Sequence, residues 1–231
     1  MISMIAYHLS WDLVYLFDAD MPWMLTKAAY IWQQSICWSF ILISGFCWPM
    51  GHNHLKNGIK LCLLGGVISL VTSLFLPEGR ILFGVLTFLG SAALLLILPE
   101  PILKKVHPVL GLVLSFSVFL ALRGISSHYL GFSHLNLPLP DGIYRNYFTT
   151  WLGFPFRGFW SADYFGVLPW FFLYLSGFFL HGIYERYRPE RGHTVWKERI
   201  LSLLGRHSLL VYLAHQPVIY GLLVLILRII H

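Results

Sequence analysis

The chain has 231 residues, 57% of them hydrophobic and only 11% charged, with a formal net charge of +6. A soluble domain carries about 25% charged residues, so this composition, with a mean hydropathy of +0.69, excludes a soluble globular fold. The basic residues gather in a few loops between apolar runs, which is a topology signal and not a nucleic-acid-binding surface.

The expected fold class is all-α: a polytopic transmembrane bundle of about seven helices, with residues 1–231 forming a single integral membrane domain. The segments run at about 1–16, 25–48, 58–76, 80–98, 106–123, 164–184 and 205–230. Between them stand Met21-Pro22-Trp23, Pro49-Met50-Gly51, Pro77-Glu78-Gly79, Pro99-Glu100-Pro101 and Arg188-Pro189-Glu190. Trp11, Trp23, Trp48, Trp160 and Trp196 fall at the ends of apolar runs, as interfacial aromatic belts require. Cys37, Cys47 and Cys62 all lie inside apolar segments and read as small core residues. The first segment is short against the roughly 20 residues of a full span. It reads as a truncated start or a shorter helix, with no cleavable signal peptide.

Lys and Arg set the orientation. Arg186, Arg188, Arg191, Lys197, Arg199 and Arg206 enrich the loop before the last segment; Lys104 and Lys105, and Lys56 and Lys60, mark two others. Placing these three loops in the cytoplasm puts the N-terminus inside and the C-terminus outside. The connection at about 124–163 is then external. It is rich in Phe, Trp and Leu and carries His128, His134, Asp141, Arg145, Arg157 and Asp163. A structureless loop of that length is uncommon, so it is expected to be partly ordered and packed at the membrane surface or over a cavity.

Ionisable residues at lipid depth are costly and mark candidate sites. His215 lies about 13 Å along a helix from Arg206, near the bilayer midplane. It opens the triplet His215-Gln216-Pro217. Pro217 has no N–H for the Leu213 carbonyl, so a kink or opening is expected there, and polar groups beside such a break suit a ligand site. The other reading makes His215 a structural hydrogen-bond link between helices. His8 and Asp12, four residues apart, share one helix face, the spacing of a base and its orienting carboxylate; a polar pair at a helix end is the other reading. Arg80 can bind an oxyanion or snorkel to the interface. Asp163 precedes the sixth segment, where an N-cap is its bland role. His52 and His54 read as a solvated turn. No Walker loop, Rossmann fingerprint, zinc-helix motif or nucleophile elbow is present, and no metal is expected.

Five segments in order carry a resemblance: Tyr7-His8-Leu9-Ser10-Trp11-Asp12-Leu13, Phe40-Ile41-Leu42-Ile43-Ser44-Gly45, Arg80-Ile81-Leu82-Phe83-Gly84-Val85-Leu86, Ser161-Ala162-Asp163-Tyr164-Phe165, and the run from Gly205 to Pro217. Together they resemble the bacterial branch of the heparan-α-glucosaminide N-acetyltransferase catalytic-domain family of membrane acyltransferases. The chain departs from that pattern in two places. The usual Asp-x-x-Arg-Gly entrance to the first helix is missing, and Thr87 stands where the bacterial pattern has His.

The resemblance implies acyl transfer from acetyl-CoA on the cytoplasmic side to a sugar- or glycan-like acceptor on the other, through an essential histidine. Carried onto this chain, the resemblance makes His8, supported by Asp12, the nearest candidate for that histidine, and Arg80 and His215 match bacterial-branch positions without a role attached. With Arg80 added for the oxyanion its own chemistry suits, His8, Asp12 and Arg80 are the expected catalytic residues. His215, Gln216, Asp163 and Tyr212 are the expected substrate- or donor-binding residues. The expected partners are the lipid bilayer, acyl-CoA and the acceptor, with no nucleic acid and a homodimer left open. The expected location is the inner membrane, multi-pass. A transporter of a small polar metabolite and a non-catalytic membrane scaffold are the rival readings.

Overall fold

The computed structural model describes residues 1–131, 137–187 and 195–230, with backbone alone for 195–207 and 227–230. His134, and most of the basic loop from Glu185 to Arg206, lie outside the described side chains. The regular elements of the described residues are helices apart from one two-stranded ladder. The helices are α1 (Ile2–Tyr15), α2 (Lys27–Cys47), α3 (His54–Phe75), α4 (Val85–Ile97), α5 (Glu100–Leu103), α6 (Pro108–Leu122), α7 (Tyr147–Leu152), α8 (Val167–Tyr187) and α9 (Val195–Ile230). Among the described residues, four stretches are long and apolar enough to cross a membrane: His54–Phe75, Pro108–Ser127, Val167–Tyr187 and Ser208–Ile226. Of the remaining expected segments, α1 has 14 residues and α4 has 13. α2 has 21, but Gln33 and Gln34 dilute its hydropathy.

The chain divides into two compact units, Met1–Ser39 with Pro189–His231, and Phe40–Arg188. In the first unit α1 packs against α9. The Trp32 indole N–H donates to Ser3 Oγ over 2.8 Å, and its ring meets Tyr7 edge-on at 5.2 Å, fixing the start of α2 against α1.

In the second unit α3 pairs with α4, and α6 with α8. Small residues allow both approaches. Gly58 and Gly65 of α3 face Leu94 and Thr87 of α4, while Gly90 of α4 faces Cys62 of α3. Such small-residue seams let helix backbones close on each other where lipid supplies no hydrophobic drive. Gly45 lies against the Tyr174 carbonyl, and Gly177 against the Leu42 carbonyl, so the end of α2 meets α8 backbone to backbone. Ser115 of α6 and Ser176 of α8, both buried, share a hydrogen bond of 2.9 Å. Phe88, Leu96, Phe119 and Leu173 are among the fully buried core residues. The outer flank of α3 (Leu63, Val67, Leu70, Leu74) is exposed.

Two expectations of helix are corrected. Residues 80–84 are not the start of α4. They pair with 160–165: Ala162 N–H donates to the Arg80 carbonyl, and Phe165 N–H to the Phe83 carbonyl, each over 3.0 Å. Ser161 Oγ accepts from Leu82 N–H and donates to its carbonyl, each at 2.9 Å. With Phe83 at φ +54° and Gly84 extended, α4 can begin only at Val85. The second correction concerns the opening at Pro217: α9 stays helical through that residue. Opening the helix in an apolar segment would strip several backbone pairs, whereas proline deletes only one.

The connection at 124–163 carries defined elements. Strands β1 (Tyr129–Leu130) and β2 (Leu137–Pro138) pair antiparallel. α7 opens with a capping box in which Asn146 accepts from Phe148 N–H and Thr149 N–H. Tyr144 hydroxyl donates to the Ile125 carbonyl, and its ring stacks on His128 at 3.7 Å.

Candidate active site

The first unit gathers five of the seven expected site residues, Tyr212 among them. His8 and Asp12 project from α1, and His215 and Gln216 from α9. Their i, i+4 spacing puts the first two on one face of α1, and the packing of α1 on α9 turns that face toward the His-Gln pair. The rings of His8 and His215 lie with centroids 4.8 Å apart. Gln216 Nε2 donates to Asp12 Oδ1 over 2.9 Å. Asp12 has no exposed surface, His215 is 9% exposed, and His8 is half-buried.

Asp12 was expected to orient His8. Its hydrogen-bond partner is instead Gln216, so the carboxylate is held from the opposite helix. His215 is oriented by its own helix: Nδ1 lies 2.5 Å from the Tyr212 carbonyl. Tyr212 therefore enters the cluster through its backbone as well as through its ring, 5.5 Å from that of His215.

Three buried polar atoms in this cluster have no hydrogen-bond partner among the described residues: Asp12 Oδ2, His215 Nε2 and Gln216 Oε1. Leaving a buried polar group unpaired costs about 1–3 kcal/mol, and more for a charged one. Three on neighbouring turns of two packed helices are a large local cost for a purely structural link, and they mark a built polar site.

The other two expected residues lie in the second unit, on the paired stretches 80–85 and 160–165. Asp163 is a cap, but for a different helix from the one its position in the chain implies. Its Oδ2 accepts from Val85 N–H over 3.0 Å, at the N-terminus of α4 and not of α8. Burial raises the pKa of its carboxyl, and the Val85 N–H partly opposes that rise. Arg80 Nε donates to the Trp160 carbonyl over 3.2 Å. Its terminal nitrogens make no hydrogen bond or ion pair among the described residues.

The same unit holds a cavity of about 460 Å³ whose lining includes Lys104, His181 and Arg186 beside Phe178 and Phe179. Lys104 also pairs with Glu100 over 2.7 Å. Lys104 and Arg186 stand out in the sequence as members of basic loops, whereas His181 has no signal there that sets it apart from other residues.

A family model described as heparan-alpha-glucosaminide N-acetyltransferase, catalytic, matches residues 1–217. The chain belongs to this family. The match ends on Pro217, so it takes in His8, Asp12, Arg80, Asp163, Tyr212 and the His215-Gln216 pair. No curated protein and no solved structure matches the chain. Membership in this acetyltransferase family, with four helices apolar enough to span a bilayer, makes the chain an integral membrane protein whose family chemistry is acyl transfer.

Proposed function

We propose that this acetyltransferase-family protein moves an acetyl group from cytoplasmic acetyl-CoA to an amine or hydroxyl of a sugar-like acceptor on the opposite face of the inner membrane. The observation that carries this reading is the buried cluster of His8, Asp12, His215 and Gln216, with three unpartnered polar atoms inside a family-matched region. In this reading all seven apolar segments lie in the membrane with the N-terminus cytoplasmic. Residues 1–231 act as one membrane domain, and the 124–163 connection is external.

The roles follow from chemistry. Acyl transfer from a thioester needs a group to take the proton of the attacking amine or hydroxyl and a donor for the developing oxyanion. His8 is the family-implied imidazole, either taking that proton or carrying the acyl group transiently. Asp12, held by Gln216, supplies negative charge beside it. The free terminal nitrogens of Arg80 suit an oxyanion. The basic cavity with Lys104, His181 and Arg186 suits the phosphates of the donor, and Phe178 and Phe179 an apolar part of it.

The test is release of free CoA from acetyl-CoA by purified protein in detergent, with a panel of amino sugars as acceptors. Acceptor-dependent release that is lost in a folded His8→Ala protein is the expected result. No release and no acetyl-CoA binding would move the protein to transport or scaffolding.

A further inference from the structure

We infer that, of the two packed imidazoles of this site, His215 is the one that receives the nucleophile's proton, with His8 the essential neighbour that packs against its ring, and that the cluster around it recognises the acyl acceptor through N–H or O–H groups only. The inference rests on the acyltransferase reading and assigns a role within it.

A carbonyl oxygen can only accept. The 2.5 Å contact between His215 Nδ1 and the Tyr212 carbonyl therefore puts the hydrogen on Nδ1. In the neutral ring Nε2 is then a bare lone pair, buried and without a partner among the described residues. That is the preparation a general base requires: a fixed tautomer with the second nitrogen aimed at a reacting proton. Among the described residues no hydrogen bond fixes the tautomer of His8, which is half-buried against the His215 ring.

The neighbouring atoms agree in sign. Gln216 spends its Nε2–H on Asp12, so its unpartnered Oε1 is an acceptor. Asp12 Oδ2 is a carboxylate oxygen, also an acceptor. Three unpartnered acceptors would repel a phosphate or carboxylate. They match an amine, an ammonium or adjacent hydroxyls. The donor's phosphates are thus excluded from this cluster, and the acceptor's nucleophile belongs there.

The step balances without any further reactant. The amine or hydroxyl heteroatom attacks the thioester carbonyl carbon. A carbon–nitrogen or carbon–oxygen bond forms and the carbon–sulfur bond breaks. The proton lost by the nucleophile passes to His215 Nε2 and then to the departing thiolate, giving free CoA.

The titratable groups around Nε2 are His8 and Asp12 from α1 and Tyr212 from its own helix, so the pH profile must be read on variants of each. With glucosamine and glucose as amine and hydroxyl probes, His215→Gln should lower kcat by about 10²–10⁴-fold and remove the acid limb of kcat/KM. It should leave acetyl-CoA binding unchanged. Imidazole should partly rescue His215→Ala. Asp12→Asn, which turns an acceptor oxygen into an N–H donor, should raise KM more than it lowers kcat. Ethoxyformylation of the wild type by diethyl pyrocarbonate gives a readout that needs no variant to fold: glucosamine should protect His215.

Wild-type kcat and pH profile in His215→Gln, or protection of His8 alone, would overturn this assignment and leave the acyltransferase reading standing. A wild type that releases no CoA with either probe overturns both.

Discussion

Gln216 donates its side-chain N–H to the Asp12 carboxylate over 2.9 Å, joining residues 204 positions apart in the chain. The bond fixes the register of α9 against α1 and holds a carboxylate that has no exposed surface. Everything proposed for the site depends on these two side chains meeting.

Removing one partner should cost more than removing both. Gln216→Leu leaves both Asp12 oxygens unpaired and should lose about 1–3 kcal/mol of stability. The double variant Asp12→Leu with Gln216→Leu should recover much of that loss, because no buried charge is stranded. Unfolding in detergent micelles measures this cycle. Strictly additive single effects would show that the hydrogen bond contributes nothing.

Asp163 should make stability depend on pH in a direction opposite to that of a salt-bridged carboxylate. Burial raises its pKa in the folded chain. Above the usual carboxylate range the native state therefore holds a proton that the unfolded chain has released. Stability is complete below that interval and falls as pH rises through it. Asp163→Asn keeps an acceptor for Val85 N–H and should flatten the slope. Asp163→Ala removes the cap from α4 and should cost about 1 kcal/mol at every pH. A melting-temperature profile that slopes equally in wild type and Asp163→Asn rules the carboxyl out as its source.

Two adjacent glycines of α3 should respond oppositely to alanine. A methyl at Gly65 would meet the Thr87 side chain and lie 2.8 Å from the Thr87 backbone nitrogen, so α3 and α4 would have to separate. A methyl at Gly66 meets nothing within 4 Å. Gly65→Ala should destabilise by about 1–3 kcal/mol, as overpacking does. Gly66→Ala should stabilise by roughly 0.5–1 kcal/mol, through helix propensity alone. Thermal unfolding of the two proteins side by side decides it, and equal shifts would mean that α3 does not seat on α4 through Gly65.

Much of the cluster proposed as the site could be picked out in the sequence because its signals are local. The four-residue spacing of His8 and Asp12 states their shared face whatever the rest of the chain does. The depth of His215 follows from counting residues into an apolar run. The family was legible from five short motifs in order. Three readings needed the whole structure. Asp163 stands at the start of the sixth apolar segment, yet caps α4, because residues 160–165 pair with 80–85 across the intervening chain. That same pairing delays α4 to Val85, although hydropathy continues smoothly from Ile81. Pro217 announced a break that α9 does not make.

Composition and order of residues by themselves determined the helical membrane class, the family and the two helices that bear the candidate chemistry. Those properties depend on burial preference and on a period of 3.6 residues, and both act within a single segment. Only the tertiary structure decided that Asp12 answers to Gln216 rather than to His8, and that His215 is held by the Tyr212 carbonyl with Nε2 unspent. Hydrogen-bond partners are chosen by which side chains packing brings within about 3 Å, and no local pattern encodes a meeting across 204 residues.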